Sequence, residues 1–533
     1  MSLRAGWALK EYEQVEYITE RVYVYAFMKY YEDTGNSKYQ EISGKAQMAA
    51  MKVSEKYAFL EPELISIDTD VLDKYISEDE RLGMYKRFID DCLAGKEHTL
   101  SEKEEALLAK ASQISTVPNE VFSKFNNADV KFGNVKRENG QEDELTNGNF
   151  ATFMESHDRT VRKAAFEALY KQYGAYINTI AAAFYGNVKQ AMFYADARGY
   201  KSTLNMYLDG SFIPENVYKN LIKTVNDNLD KMYCYVDIRK KALGVDELHF
   251  YDIYAPMVED IDWKISYDEA KDIVVKALAP MGEEYVSHIK EGFNNGWVDV
   301  YENTGAYGTH PYVFLNYSDT LNDVFTVIHE MGHAMHTYYS NANQPYIYAG
   351  YKIFVAEVAS TCNEAILMQY MLKNTDDEKK KRYLLNHFFE QFKGTLYRQT
   401  MFAEFEMEAH AKAEHGEVLS AESLCAMYKK LNEKYFGPDM VIDDEIALEW
   451  ARIPHFYTPF YVYQYATGYS AAIAISTKIL AGDEQVIAGY RKFLSGGSSM
   501  HPIELLKLCG IDMTRPDVVQ EALDVFGELL KQW

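Results

Sequence analysis

Three of the 13 histidines in this 533-residue chain lie close together in the segment VFTVIHEMGHAMHTYYS, at residues 324–340. His329, Glu330 and His333 form the pattern H-E-x-x-H. In an α-helix, residues four apart are turned by about 40° and separated by about 6 Å along the axis, so both imidazoles project from one face and can bind one metal ion. Glu330 follows the first histidine and can reach a water on that ion. These residue types at this spacing predict a zinc site for peptide hydrolysis, with Glu330 as the base.

A chance match to so short a pattern is the alternative, and the flanking residues argue against it. Residues 324–328 are almost entirely apolar and predict a buried helix, in which a pair of histidines needs polar or metal partners. Gly332 removes a side chain beside the histidines. We therefore predict that one Zn²⁺ per chain binds to this helix.

A third ligand is needed, because catalytic zinc usually has three protein ligands and one open position. The next apolar segment, YKIFVAEVASTCNEAILMQYM, contains Glu357 among apolar neighbours, where a metal would compensate a buried carboxylate. Glu364 lies seven residues further on, near the same face, and is predicted to orient a ligand from behind. His336 is the rival ligand, but it lies about 4.5 Å further along the axis than His333, a strained reach in a straight helix. We favour Glu357, and predict that His336 supports the site or lines a groove.

Most of the chain has the sequence pattern of helices. Apolar residues recur at intervals of three and four after Pro214, and Ser101 with Glu104 forms a capping box. Residues 156–200 predict one or two long helices. The segment GWVDVYENTGAYGTHPYVFLNYSDT differs, because it has two β-rich runs around a glycine-containing turn. It predicts a small β-sheet immediately before the histidine helix.

Two interpretations of that sheet remain open. It is either a structural hairpin or an edge strand that pairs with an extended peptide. On the second interpretation, the substrate-binding residues would be Gly305, Gly308, His310 and Tyr312.

The composition limits the classes of partner and compartment. A net charge of −25 offers no basic surface of the kind that nucleic-acid binding requires, so no nucleic-acid partner is predicted. The five cysteines are widely spaced and form no C-x-x-C pair, which favours reduced thiols in the cytoplasm. A membrane span needs about 20 mostly apolar residues, and no membrane segment or signal core is predicted.

The motif and several distant stretches resemble one peptidase family. HEMGHAMH, followed by FVAEVAST, resembles the M3 family of zinc oligopeptidases and specifically its oligoendopeptidase F branch. RVYVYAFMKYYEDTGNSKYQ, GAYGTHPYVFLNY, TLYRQTMFAEFE and HFYTPFYVYQYATGYSAA extend the resemblance over nearly the whole chain. Members of this branch usually carry additional N-terminal residues, so we expect a shortened N-terminal lobe.

The resemblance implies a mostly α-helical, two-lobed body with a deep internal channel, and the sequence pattern adds the small β-sheet beside the active-site helix. It divides the chain into an N-terminal helical lobe at 1–120 and a catalytic domain at 121–533. Residues matching His329, His333 and Glu357 would hold the zinc, with Glu330 as the base.

The resemblance also implies that a later histidine and a tyrosine stabilise the transition state. In IPHFYTPFYVYQY these would be His455 with Tyr461 or Tyr463. Packing in an aromatic core is the alternative for this stretch, and it is expected to describe some of its rings.

The predicted function is that of a zinc-dependent endopeptidase acting on short, unstructured oligopeptides. One alternative is a metallocarboxypeptidase on a similar fold, which would need a basic group for the free carboxylate of its substrate. Another is a non-catalytic peptide-binding protein with a structural zinc. Glu330 argues against the last, because a structural zinc site needs no base. The oligomeric state and the cleavage preference stay open.

Overall fold

The structure, a computed structural model, describes residues 2–33, 35–259, 261, 263–299 and 313–533. Helices dominate these residues, which confirms the predicted mostly α architecture. In chain order the α-helices begin with α1 (Ser2–Glu32), α2 (Ser37–Tyr57), α3 (Leu60–Ser66), α4 (Thr69–Glu78), α5 (Glu80–Met84), α6 (Lys86–Ala94), α7 (Glu102–Ser115), α8 (Val117–Lys124), α9 (Phe150–Met154), α10 (Arg159–Ala175), α11 (Ile177–Ala197), α12 (Thr203–Asp209), α13 (Glu215–Asn226) and α14 (Leu229–Leu243). They continue with α15 (Tyr267–Ala277), α16 (Glu283–Asn294), α17 (Leu321–Asn343), α18 (Tyr346–Ala349), α19 (Ile353–Lys373), α20 (Glu378–Gln391), α21 (Arg398–Glu414), α22 (Ala421–Phe436), α23 (Tyr463–Leu480), α24 (Glu484–Leu494), α25 (Pro502–Lys507) and α26 (Asp517–Leu530).

The strands of the described residues form three small sheets. They are β1 (Asn134–Lys136), β2 (Glu142–Glu144), β3 (Leu248–His249), β4 (Val298–Asp299), β5 (Val313–Phe314) and β6 (Met440–Val441). β1 pairs with β2 antiparallel, whereas β3 pairs with β6, and β4 with β5, in parallel.

The β4–β5 pair is the predicted small sheet, and β5 contacts the histidine helix α17. Its strands run in parallel, with Val298 opposite Val313, so the hairpin interpretation is wrong for the paired residues. A parallel pair needs a connection of about a dozen residues or more, and the long segment at 300–312 provides it. The four predicted substrate-binding residues, Gly305, Gly308, His310 and Tyr312, lie in that segment, outside the described residues.

Local sequence signals account for the residues at which several helices begin. Ser101 and Glu104 form the predicted capping box of α7, and α13 begins directly after Pro214. The long helical segment at 156–200 forms two helices, α10 and α11, which meet at Tyr176. α17 begins with another capping box, in which the Thr320 hydroxyl accepts a hydrogen bond from the Asp323 N–H. A helix whose first N–H groups are satisfied in this way starts at a defined residue.

Contacts divide the chain into two compact units, each built from separate stretches of sequence. The first contains Met1–Thr99, Asp262–Tyr370 and Ile475–Ile511, and the second contains Leu100–Ile261, Met371–Ala474 and Asp512–Trp533. The histidine helix belongs to the first unit, where it packs against α15, α16 and α24. The predicted division of the sequence near residue 120 and the predicted internal channel stay predictions.

Among the described residues, none of the helices has the length and apolar character needed to cross a membrane.

Candidate active site

α17 and α19 approach each other closely at Gly332. A Cβ atom on Gly332 would lie 2.5 Å from the Cα of Ser360 and 2.8 Å from the carbonyl oxygen of Ala359. Only a residue without a side chain allows two backbones to come so near. The contact brings Glu357, about one turn before Ser360 on α19, to the histidine face of α17.

His329, His333 and Glu357 present three ligand atoms to one point. The Nε2 atoms of the two histidines are 3.2 Å apart, and each lies 3.5 Å from Oε2 of Glu357. Zinc bonds of about 2.0–2.1 Å in a tetrahedron place ligand atoms about 3.3–3.4 Å apart, so the three atoms fit such an ion and leave its fourth position open. The side chains of His329, His333 and Glu357 are 26%, 28% and 38% exposed, so all three are only partly buried. Among the described residues, these three side chains have ligand atoms close enough together to bind one metal ion.

Glu364 contacts the imidazole of His329 at the nitrogen that does not face the other ligands. Its Oε1 contacts Nδ1 of His329, on the opposite side of the ring from the ligand atom. A carboxylate at this position keeps the proton on Nδ1 and leaves Nε2 free to bind a metal. Burial lowers the pKa of His329, but the contact with Glu364 and the charge of Glu357 outweigh it and raise that pKa overall. The pKa of Glu357 is lowered by its contact with His333.

Glu330 lies next to His329 in sequence and is partly exposed. Its carboxylate makes no hydrogen bond or ion pair with any residue that the structure describes. The charge of Glu330 acts on His329, where it contributes to the raised pKa of that imidazole. The carboxylate is therefore not engaged by another described side chain and can accept a proton.

His336 lies apart from the three ligand atoms. It is fully buried, and its ring stacks on Tyr351 with centroids 3.7 Å apart and planes 4° from parallel. Burial lowers the pKa of His336 to about 3, with a smaller contribution from His333, so the ring is neutral at ordinary pH. The geometry favours Glu357 over His336 as the third ligand.

A second cluster of polar and aromatic side chains forms in the second unit, around His455. This residue lies in the short 3₁₀-helix Pro454–Tyr457 and is exposed. Its Nε2 is 3.4 Å from the Tyr465 hydroxyl, and its ring lies nearly parallel to that of Tyr461, with centroids 6.1 Å apart. The rings of Tyr461 and Tyr465 are 5.5 Å apart.

Tyr463, the other predicted tyrosine, packs in the core instead. It is 2% exposed and its ring centroid is 4.9 Å from that of Tyr218. Burial raises its pKa well above the usual range. Tyr465, near the start of α23, was not among the predicted catalytic residues, and no motif in the sequence distinguishes it from the neighbouring tyrosines.

Comparisons with known proteins identify the family of this chain. The sequence model of peptidase family M3 matches residues 152–525, and that of oligopeptidase F matches residues 63–132. Oligopeptidase PepF of Bacillus subtilis is 50% identical over 521 residues, covering 96% of this chain and 78% of the relative. An oligoendopeptidase F homolog of Lactococcus lactis is 41% identical over 522 residues, covering 96% of this chain and 87% of the relative.

The fold is likewise similar to a solved structure. The crystal structure of oligoendopeptidase-F from Enterococcus faecium matches with a TM-score of 0.80 at 37% identity, and covers 99% of this chain and 92% of that one. The predicted resemblance is confirmed, and the chain belongs to peptidase family M3, in its oligoendopeptidase F branch.

Proposed function

We propose that this M3 metallopeptidase is a zinc-dependent endopeptidase that cuts short, unstructured oligopeptides at internal bonds. The observation that carries the proposal is the spacing of the His329, His333 and Glu357 ligand atoms, which suits one tetrahedral ion. The names of the relatives, oligopeptidase and oligoendopeptidase, support short peptides as the substrates.

Zinc, when bound, would supply the Lewis acidity that polarises a carbonyl and makes water more acidic. Glu330 then takes the proton of the attacking water and passes it to the leaving amine nitrogen. Glu364 holds the His329 imidazole in the tautomer and orientation that ligation requires.

The His455 cluster is proposed to stabilise the negative charge that develops on the carbonyl oxygen. Partial loss of solvent around the imidazole lowers the pKa of His455, and the nearby charge of Arg398 lowers it further, so the imidazole is neutral near pH 7 and keeps one N–H to donate. The Tyr461 hydroxyl is the second proposed donor. Hydrogen bonds that strengthen as charge develops accelerate the reaction.

Two further points concern the substrate and the compartment. Strand β5 (Val313–Phe314) is proposed to hold the backbone of the substrate in an extended conformation, as an edge strand does. All five cysteines are free thiols, which supports a reducing compartment such as the cytoplasm.

The test is digestion of an unstructured peptide that is acetylated at one end and amidated at the other. We expect internal cleavage that stops when a chelator removes the metal and returns when zinc is added. Release of the C-terminal residue from the free peptide, with no cutting of the blocked one, would instead identify a carboxypeptidase. Stoichiometric zinc with no turnover of any peptide would identify a binding protein.

A further inference from the structure

Phe460, directly before Tyr461, has an unusual backbone conformation. Its φ is +55°, in the left-handed region that residues with a Cβ atom seldom adopt. Among the described residues, Phe212 and Asp319 are the other non-glycine residues with positive φ. Such a conformation persists only where the surroundings hold it in place, and it often occurs beside functional residues.

Glu406, in the middle of α21, holds this turn. The carboxyl group is fully buried, and its Oε1 accepts a hydrogen bond from the Phe460 N–H at 3.0 Å. Its second oxygen has no hydrogen-bond partner among the described residues. Burial raises the pKa of Glu406 well above its usual range, so the group is neutral. Burying a carboxyl group without an ion pair costs free energy of folding. The hydrogen bond to the Phe460 N–H is the interaction that this buried group provides.

The same helix also holds the side chain of Phe460. His410 lies one turn after Glu406, and its ring centroid is 4.6 Å from that of Phe460. Tyr207 and Tyr218 pack on other sides of the Phe460 ring, each with centroids 5.9 Å away. The backbone N–H and the ring of Phe460 are thus both held, which fixes the backbone where it enters Tyr461, whose ring lies nearly parallel to that of His455.

We infer that Glu406 is a positioning residue for peptide hydrolysis: by binding the Phe460 N–H it maintains the left-handed turn that places the Tyr461 hydroxyl. This inference rests on the proposed role of Tyr461 in stabilising the transition state. Glu406 itself touches no reacting atom.

The test compares two replacements of Glu406, one that removes the hydrogen-bond acceptor for the Phe460 N–H and one that keeps it. Glu406→Leu removes the acceptor, and we expect kcat to fall about 10–100-fold, since a small misplacement of a catalytic group has effects of this size. Glu406→Gln keeps a carbonyl oxygen for the Phe460 N–H and should retain nearly full kcat. KM and zinc content should be unchanged in both. Glu408→Leu, at an exposed position on the same helix, is the matched control and should keep wild-type kinetics.

A double variant separates this inference from the proposed function. If Glu406 acts through Tyr461, then Glu406→Leu combined with Tyr461→Phe should be no slower than Tyr461→Phe alone. Normal kcat in Glu406→Leu, while Tyr461→Phe is slow, overturns the inference and leaves the proposed function intact. Full activity of Tyr461→Phe overturns the proposed role of the tyrosine instead.

Two further outcomes also decide the question. Equal losses of kcat in Glu406→Gln and Glu406→Leu would point to packing and overturn the inference. If Glu406→Leu does not fold, Glu406→Asp replaces it, because the shorter side chain keeps the acid but cannot reach the Phe460 N–H in the same way. A fall in its kcat with unchanged KM supports the inference, and wild-type kcat overturns it.

Discussion

At the scale of single residues, the proposed chemistry depends on a carboxylate that can accept a proton. Glu330→Gln keeps the size and polarity of the side chain but cannot take the proton of the water. We expect kcat/KM to fall at least ~100-fold, a usual contribution of a general base, while zinc is retained. Turnover of a quenched-fluorescence peptide and metal analysis of the same sample measure both. Near-normal turnover of the zinc-loaded variant would exclude Glu330 as the base.

The third ligand is tested by comparing two alanine variants. Glu357→Ala removes one of the three converging ligand atoms, so zinc should dissociate far more readily. His336→Ala removes a buried ring that stacks on Tyr351, so it should lower the melting temperature but leave the zinc content near one per chain. The opposite result, with zinc lost from His336→Ala and kept by Glu357→Ala, would reverse the assignment.

The two predicted tyrosines should behave differently when only the hydroxyl is removed. Tyr461→Phe should lower kcat and kcat/KM together by ~10²–10³-fold, since loss of one donor to the oxyanion has effects of this size. Tyr463→Phe should be nearly as active as wild type, because phenylalanine keeps the ring that packs against Tyr218. Steady-state kinetics on one peptide compare the two. If both variants keep full activity, the Tyr465 hydroxyl next to His455 becomes the candidate.

At the scale of helices, the metal site depends on how closely α17 and α19 pack. Gly332→Ala would place a methyl group against the backbone of Ser360, which cannot give way as a side chain can. We expect a loss of about 1–3 kcal/mol in stability, as for other overpacked cores, and faster loss of zinc because Glu357 moves away from the histidines.

Gly44→Ala is the matched control for this helix contact. Gly44 lies within α2, in the same unit, and a Cβ there would meet no atom within 4 Å. Alanine in a helix interior is favoured over glycine by roughly 0.5–1 kcal/mol, so this variant should be slightly more stable and bind zinc normally. Melting temperature and chelator-induced zinc release measure both variants. Unchanged zinc release from Gly332→Ala would show that the helix contact does not position Glu357.

At the scale of the whole molecule, the second unit contains a buried charge network with a defined pH dependence. Glu390 binds Arg239 and Lys393, whose side chains are 1% and 4% exposed. Burial by itself would raise the pKa of Glu390, but the charges of Arg239 and Lys393 outweigh it and lower that pKa to about 2.

A carboxylate whose pKa is lower in the folded state stabilises the fold above its unfolded pKa of about 4.3 and loses this contribution as the pH falls toward the folded pKa. The melting temperature of the wild-type protein should therefore drop steeply over that range. Glu390→Gln should be less stable at neutral pH, because it leaves two buried cations uncompensated, and should lose less of its remaining stability in acid. The difference between the two curves isolates Glu390, since the metal ligands titrate in both proteins. Parallel curves would exclude this network as an acid-sensitive element.

The sequence alone determined the features that depend on local geometry. The two histidines share a face of α17 because residues four apart do so in any helix, and Glu357 was recognisable as a carboxylate among apolar residues of the next helix. The helical architecture followed from apolar periodicity and capping residues, and the family from extended resemblance. Each of these signals is carried by consecutive residues and needs no contact between distant parts of the chain.

Only the tertiary structure decided which of several similar side chains meet. Tyr461, Tyr463 and Tyr465 are equivalent in the sequence, but Tyr463 packs against Tyr218 from α13, and this leaves the other two beside His455. The hydrogen bond from the Phe460 N–H to Glu406 links residues 54 positions apart. The parallel register of β4 and β5 likewise pairs residues from separate stretches of the chain. Such contacts depend on how distant elements fill the same space, which the periodicity of one segment does not specify.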